Sequence, residues 1–220
     1  MSDQWQEGGY ADRYNRQYAF GEGEIGRFLA PLGLGPADVF VDFGCGNGEV
    51  LAAAAPRVAR AVGIDGSPRQ VALARAAVAP WPHAEVREGA FLTCDLAGPP
   101  VTRAVARKSL HHLTDPDKAA FFARVGPAFA PGGLFLIEDG IFTFDRATLE
   151  EHLPQVLADA EVWYGDRWPA VRADVLSTLR DEFPTGFPAW ETALRAGGFT
   201  VADRYQRTCF YGGILARREG

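Results

Sequence analysis

The stretch VDFGCGNGEV, residues 41–50, joins an apolar run ending at Phe43 to a helix-forming segment through glycines at 44, 46 and 48. Glycine lets the backbone take positive φ and lets a ligand approach with no Cβ in the way. A strand, a glycine loop and a helix in this order form the unit that meets a nucleotide in open α/β sheets. Asp65 closes the next apolar run. An acid at that position accepts hydrogen bonds from ribose hydroxyls, so loop and acid together predict a nucleoside cofactor.

Working outward, strand and helix signals alternate. Val39–Phe43, Ala61–Ile64, Glu85–Arg87, Ala104–Arg107 and Leu134–Glu138 are short β-rich runs. Glu49–Ala55 is rich in Ala and Leu, and Ser67-Pro68 offers an N-cap and a first-turn proline for a helix to Val78. Asp115–Phe129 fits an amphipathic helix that PGG at 131–133 stops. The rhythm predicts an α/β fold, Rossmann-like and doubly wound, with a mostly parallel sheet. Residues 141–186 break it with two expected helices, Arg146–Val162 and Trp168–Phe183, a helical insertion after the fifth strand. After a helix at Pro188–Ala196, FTVADRYQR and CFYGGILARR predict an antiparallel C-terminal pair.

At 220 residues the chain suits one domain, 1–220, with residues 1–22 as an N-terminal segment and 141–186 as a cover. Cys45, Cys94 and Cys209 are odd in number and widely spaced, without metal-type pairing, so no metal site is expected. They read as free thiols of a reducing, cytoplasmic compartment. No apolar run is long enough to cross a bilayer, and the N-terminus lacks the plan of a signal peptide. A net charge of −6 argues against a nucleic-acid partner. Two lysines among abundant arginines suggest a bacterial, GC-rich genome.

Which nucleoside cofactor is meant turns on spacing. A dinucleotide loop reads G-x-G-x-x-G, whereas this one reads Gly44-x-Gly46-x-Gly48. VDFGCGNGEV, GIDGSPRQV, SLHHLTD and APGGLFLIED, in that order, resemble the class I S-adenosylmethionine (SAM)-dependent methyltransferases. They are most similar to the small-molecule group that includes quinone-biosynthesis enzymes. The resemblance spans about residues 39–139 and continues in LRAGGFTVADRY. It implies methyl transfer from SAM to a small-molecule acceptor. By resemblance, Asp42, Gly44, Cys45 and Gly46 meet the amino-acid end of the cofactor, and Asp65 takes the ribose, with Gly66 and Ser67 beside it. Ala90 and Phe91 flank the adenine, and Arg107 touches the methionine part. The family often carries an acid where Ala90 stands, leaving adenine to backbone groups, to apolar sandwiching or to Asp95.

Two alternatives stay open: a methyltransferase of RNA or protein, and a SAM-binding protein that transfers no methyl. Catalytic candidates are His111 and His112, as bases or as loop histidines, with Glu138 and Asp139 in the same crevice. Tyr10, Tyr14 and Tyr18 fall four apart on one helix face. They read as either packing or a lid, and the resemblance favours a lid with Tyr14 and Tyr18 at the methyl-transfer site. The aromatics of the insertion, Phe142, Phe144, Trp163, Tyr164, Trp168 and Phe187, are either an acceptor pocket or the insertion's own core.

Overall fold

The computed structural model describes residues 8–220; the first seven residues of the expected N-terminal segment lie outside them. Strands β1 (Val39–Phe43), β2 (Arg60–Asp65), β3 (Ala84–Glu88), β4 (Val101–Arg107), β5 (Phe129–Asp139), β8 (Phe199–Thr208) and β9 (Tyr211–Arg218) make one sheet in the order 3-2-1-4-5-9-8. β9 runs antiparallel to both neighbours, and the pairs from β3 to β5 are parallel. The fold is the expected doubly wound one with an antiparallel C-terminal strand.

Alternation of side chains along each strand fills both faces. Val41, Phe43, Ala104, Ala106, Phe135 and Ile137 pack with Phe121, Phe122 and Trp190 of helices α5 (Asp115–Val125) and α8 (Phe187–Ala196). Phe40, Val105 and Leu136 pack on the other face with α2 (Glu24–Leu29), α3 (Glu49–Ala54) and α4 (Pro68–Val78). The strand order reverses between β1 and β4, and the crevice at that point is where such sheets take ligands.

The insertion holds α6 (Leu149–Tyr164) and α7 (Trp168–Asp181). Its ends are joined by a small parallel pair the pattern did not predict, β6 (Ile141–Phe142) with β7 (Thr185–Gly186). Phe142, Val156, Trp168, Val171 and Leu179 share a separate core with Phe210 and Tyr211. The expected helix to Phe129 is shorter. α5 ends at Val125, a 3-10 turn follows over Gly126–Ala128, and β5 already starts at Phe129. Close packing at Gly126, where a Cβ would lie 2.1 Å from the Gly197 carbonyl, and Pro127 account for the early stop. PGG therefore lies inside β5, at a register shift against β4. No helix among the described residues is long and apolar enough to cross a membrane.

Candidate functional site

The glycine loop is fastened to the sheet by backbone bonds from Gly44 and Cys45 to the Ile64 carbonyl, at 2.8 and 3.1 Å. Gly44 has φ +74, and a Cβ there would lie 2.4 Å from that of Ser109. Only glycine lets this loop pass under the segment that follows β4. Cys45 is buried, and its thiol is pushed up by that burial and by Asp42 and Asp65. It packs at Gly63, which is the structural role of a small residue.

Two acids face the crevice. The Asp65 carboxylate accepts the Gly46 amide at 2.9 Å and the Ser67 amide at 2.8 Å, one on each oxygen. It thus shapes the loop. Asp42 is buried and its Oδ2 has no hydrogen-bond partner. Burial, with Asp65 nearby, pushes its pKa up to about 8. A buried acid with an orphaned oxygen calls for a cationic partner.

An open cleft of about 1030 Å³ runs past Gly44, Gly46, Asp65, Gly66, Ala90, Phe91 and His112. Its apolar end and its acid edge suit a nucleoside. Asp95 is not among its lining residues and instead accepts the Ala97 amide at 2.9 Å. Asp117, at the start of α5, lines the cleft and had drawn no attention in the sequence. Arg107 also lines it, but its guanidinium is held by Glu138 and Glu24, both at 3.0 Å, over the Phe20 ring.

A second cavity of about 660 Å³ adjoins this cleft. Tyr10, Tyr14, Tyr18, Tyr164, Tyr211, Phe210, Val175 and Leu179 give it aromatic and aliphatic walls. Tyr10 and Tyr14 belong to α1 (Gly8–Gln17), with Tyr18 just beyond it, and the rings of Tyr14 and Tyr18 lie 4.7 Å apart. Burial raises both phenols well above their usual range, so they stay protonated and act as donors. α1 is tied to α4 by paired amide bonds between Asn15 and Gln70, each 2.9 Å, and to α7 by Gln17 and Asp174 at 3.2 Å. Of the aromatics proposed for an acceptor pocket, only Tyr164 lines this cavity. Phe142 and Trp168 are core residues of the insertion, Phe187 packs on the sheet's core, and Trp163 is 41% exposed.

The histidines sit in a 3-10 turn, Leu110–His112, after β4. His111 Nδ1 meets Asp139 Oδ1 at 2.5 Å, and its Nε2 faces Glu182 at 3.1 Å. Burial opposes charge on His111, but Asp139 and Glu182 outweigh it and push its pKa up to about 10. Both ring nitrogens are therefore engaged, which speaks against His111 as a free base. Glu138 is equally committed, accepting from Tyr205, Arg207, Arg107 and Tyr211. Asp139 accepts the amides of Ser109, Leu110 and His111.

Lys108 is the residue sequence reasoning underrated. It lines both the cleft and the second cavity, and it has a left-handed backbone, φ +51, uncommon for a side chain of its size. Its Nζ lies 4.7 Å from the Tyr18 ring centroid and 5.7 Å from that of Tyr211. No carbonyl or carboxylate accepts from it among the described residues. Burial first, then Arg107 and Arg167, lowers its pKa to about 7 against the opposing pull of Glu138 and Glu24. A strained, half-buried lysine between two cavities has a signature of function.

A glycine loop with an acid on each flanking strand, at the switch point of a 3-2-1-4-5 sheet, defines a nucleoside-binding α/β protein of the methyltransferase type. Residues 40–133 match the family described as methyltransferase domain. That stretch, from β1 into β5, is thus similar to the methyltransferase domain that takes SAM as its cofactor.

No curated protein matches the sequence. Among similar solved structures is magnesium protoporphyrin IX methyltransferase of Synechocystis PCC 6803 with bound S-adenosylhomocysteine (SAH). It is 15% identical, with 99% of this chain and 97% of that one covered at a TM-score of 0.66. Geranyl diphosphate C-methyltransferase of Streptomyces coelicolor A3(2), with Mg2+, geranyl diphosphate and SAH, is 14% identical, covering 96% and 83% at 0.68. A complex between the Trm112 methyltransferase activator and a methyltransferase of Haloferax volcanii gives 17%, 100%, 98% and 0.72. At such identities the likeness is one of fold.

Proposed function

We propose that this enzyme methylates a small, largely planar, mostly apolar acceptor bound in the tyrosine-walled cavity. The carrying observation is that the cavity adjoins the cofactor cleft, with Tyr14 and Lys108 lining both. In this reading the described part of residues 1–22 is a lid, and residues 141–186 are a cover within a single domain. Bound SAM supplies the activated methyl group, whose departure converts a sulfonium to a neutral thioether. Asp42 and the Gly44–Gly46 backbone hold its amino-acid end, with Cys45 supporting the loop and Arg107 walling it. Asp65 takes the ribose, with Gly66 and Ser67 beside it, and Ala90 and Phe91 flank the base. Tyr14 and Tyr18 orient the acceptor and exclude water, His112 borders the two ligands, and Lys108 receives the acceptor's proton.

The test is where a labelled methyl group goes. The enzyme is given methyl-labelled SAM with separated small-molecule and macromolecular fractions of a bacterial extract. Label is expected in the small-molecule fraction; label confined to RNA or protein overturns the reading, as does label in neither.

The cavity predicts a substitution that reaches the acceptor alone. Thr178 lines the second cavity and not the cofactor cleft. Thr178→Trp should raise the acceptor KM at least about tenfold, by filling space, with the SAH Kd held within about twofold. An unchanged KM would remove the cover from substrate choice. Trp163→Ala should leave turnover unchanged, because that ring lies outside the cavity.

Asp42 predicts proton-linked cofactor binding. The unliganded carboxyl is mostly protonated below its pKa of about 8, and an ammonium group beside it favours the ionised form. Binding therefore releases a proton near pH 7, and affinity for SAH should rise from pH 6 to 8. Calorimetry in buffers of different ionisation enthalpy reads this directly. Asp42→Asn should remove the buffer dependence, and its survival in that variant would assign the proton elsewhere.

A further inference from the structure

We propose that His111, His112 and Glu182 form a binding site for one divalent transition-metal ion of the zinc type, at the border of the cofactor cleft and the acceptor cavity. Glu182 follows the last turn of α7 and reaches back to the turn after β4. Its Oε2 lies 3.1 Å from His111 Nε2, and its Oε1 lies 3.1 Å from His112 Nδ1. The donor atoms of all three residues fall within 4.8 Å of one another. Bonds of about 2.1 Å to a tetrahedral zinc put ligand atoms roughly 3.4 Å apart, and each histidine already stands near that distance from one of the two carboxylate oxygens.

Two further observations point to a cation. Asp139 accepts from His111 Nδ1 and is itself held by three backbone amides. A carboxylate on the far nitrogen fixes the tautomer and presents Nε2 as a donor, the arrangement that accompanies metal-bound histidines. Opposite that nitrogen, Glu182 Oε2 is buried without a properly aimed hydrogen bond, although Nε2 is close. An ion bonded to both satisfies the oxygen without needing an N–H aimed along the line.

Two imidazoles and one carboxylate suit zinc and its first-row neighbours and disfavour magnesium, which prefers oxygen. Three protein ligands leave a position open, as in catalytic sites. His111 lines the acceptor cavity and His112 the cofactor cleft, so the site borders the reaction space. The ligand it would take there is an acceptor oxygen, such as a phenolic hydroxyl or a carboxylate. Cysteine spacing gave no hint of this site, because its ligands are histidines and a glutamate 70 residues further on.

The metal site is testable without any acceptor. The whole, untagged protein is stripped with chelator and titrated with Zn2+ alone, then with Co2+ for its ligand-field spectrum. One Zn2+ per chain with micromolar or tighter affinity is expected, with Co2+ bands of a four- or five-coordinate site. Glu182→Gln and His112→Gln should each weaken Zn2+ binding at least about tenfold. Asp139→Asn should weaken it by about 10- to 100-fold, the usual effect of removing a histidine's carboxylate partner. Melting curves identify any variant that fails to fold, and the remaining ones carry the comparison. Absence of stoichiometric Zn2+ binding by the intact protein overturns the proposal, as does equal binding by the folded variants.

Discussion

Lys108→Met is expected to lower the turnover of the small-molecule acceptor by about 10²- to 10⁴-fold, the usual share of a positioned general base. A methylated hydroxyl or amine must lose a proton, and a base works best when its pKa lies near the working pH. Lys108 meets that condition, with a pKa lowered to about 7 by burial and by Arg107 and Arg167, against Glu138 and Glu24. The sign follows: the neutral amine accumulates as pH rises through about 7, so kcat should climb across that range. The variant should lose this limb. Lys108→Arg separates a base from a fixed charge, because arginine keeps the cation and does not deprotonate. It should be nearly as slow as the methionine variant. Rescue by arginine would make Lys108 a positioning cation, and turnover within threefold of normal in Lys108→Met would remove it from the chemistry altogether.

The same residue should weigh on stability in the opposite direction. A lysine whose pKa is depressed on folding destabilises the fold when protonated. That cost grows as pH falls from the ordinary lysine value, 10.5, to about 7, and is constant below. Lys108→Met should therefore melt higher than the natural protein at pH 7, with the difference shrinking toward pH 10. A left-handed, half-buried lysine that costs stability has the features of a functional residue rather than a structural one.

How much could be read from the chain alone follows from how local each feature is. The glycine loop, Asp65 and the parallel strands were legible because strand, turn and acid lie within 25 residues, and their spacing is set by backbone geometry. The PGG at 131–133 was misread because glycine and proline mark a strand's bulge as readily as a helix's end. The pair β6 and β7 was invisible: two residues on each side carry no periodicity. Lys108 read as either a contact for an anionic acceptor or a solvated charge, since its burial is made by Tyr18 and Tyr211, which lie 90 residues before and 103 residues after it. Glu182 was missed for the same reason. For the aromatic insertion residues composition left an acceptor pocket and the insertion's own core open; Phe142 and Trp168 belong to that core, and the cavity is walled mainly by α1, α7 and β9.

Cofactor affinity should respond most to Asp65. Asp65→Ala is expected to raise the Kd for SAH by about 30- to 700-fold, equivalent to about 2–4 kcal/mol for hydrogen bonds from both ribose hydroxyls to a charged acceptor. Two effects combine, and they can be separated. The carboxylate also accepts the Gly46 and Ser67 amides, so its loss frees the loop as well as the ribose contact. Asp65→Asn keeps one oxygen acceptor but loses the charge and one acceptor edge, so it should fall between alanine and the natural residue. A melting shift without ligand reports the loop's share, because ribose contributes nothing there. NADH should not compete with SAH in either background, since the Gly44-x-Gly46-x-Gly48 spacing and the tight approach of Gly44 to Ser109 define a loop unlike the dinucleotide one. An Asp65→Ala variant that binds SAH within threefold of normal would mean that the acid serves only the loop. The ribose would then be held by other groups that line the cleft, such as Asp117 and His112.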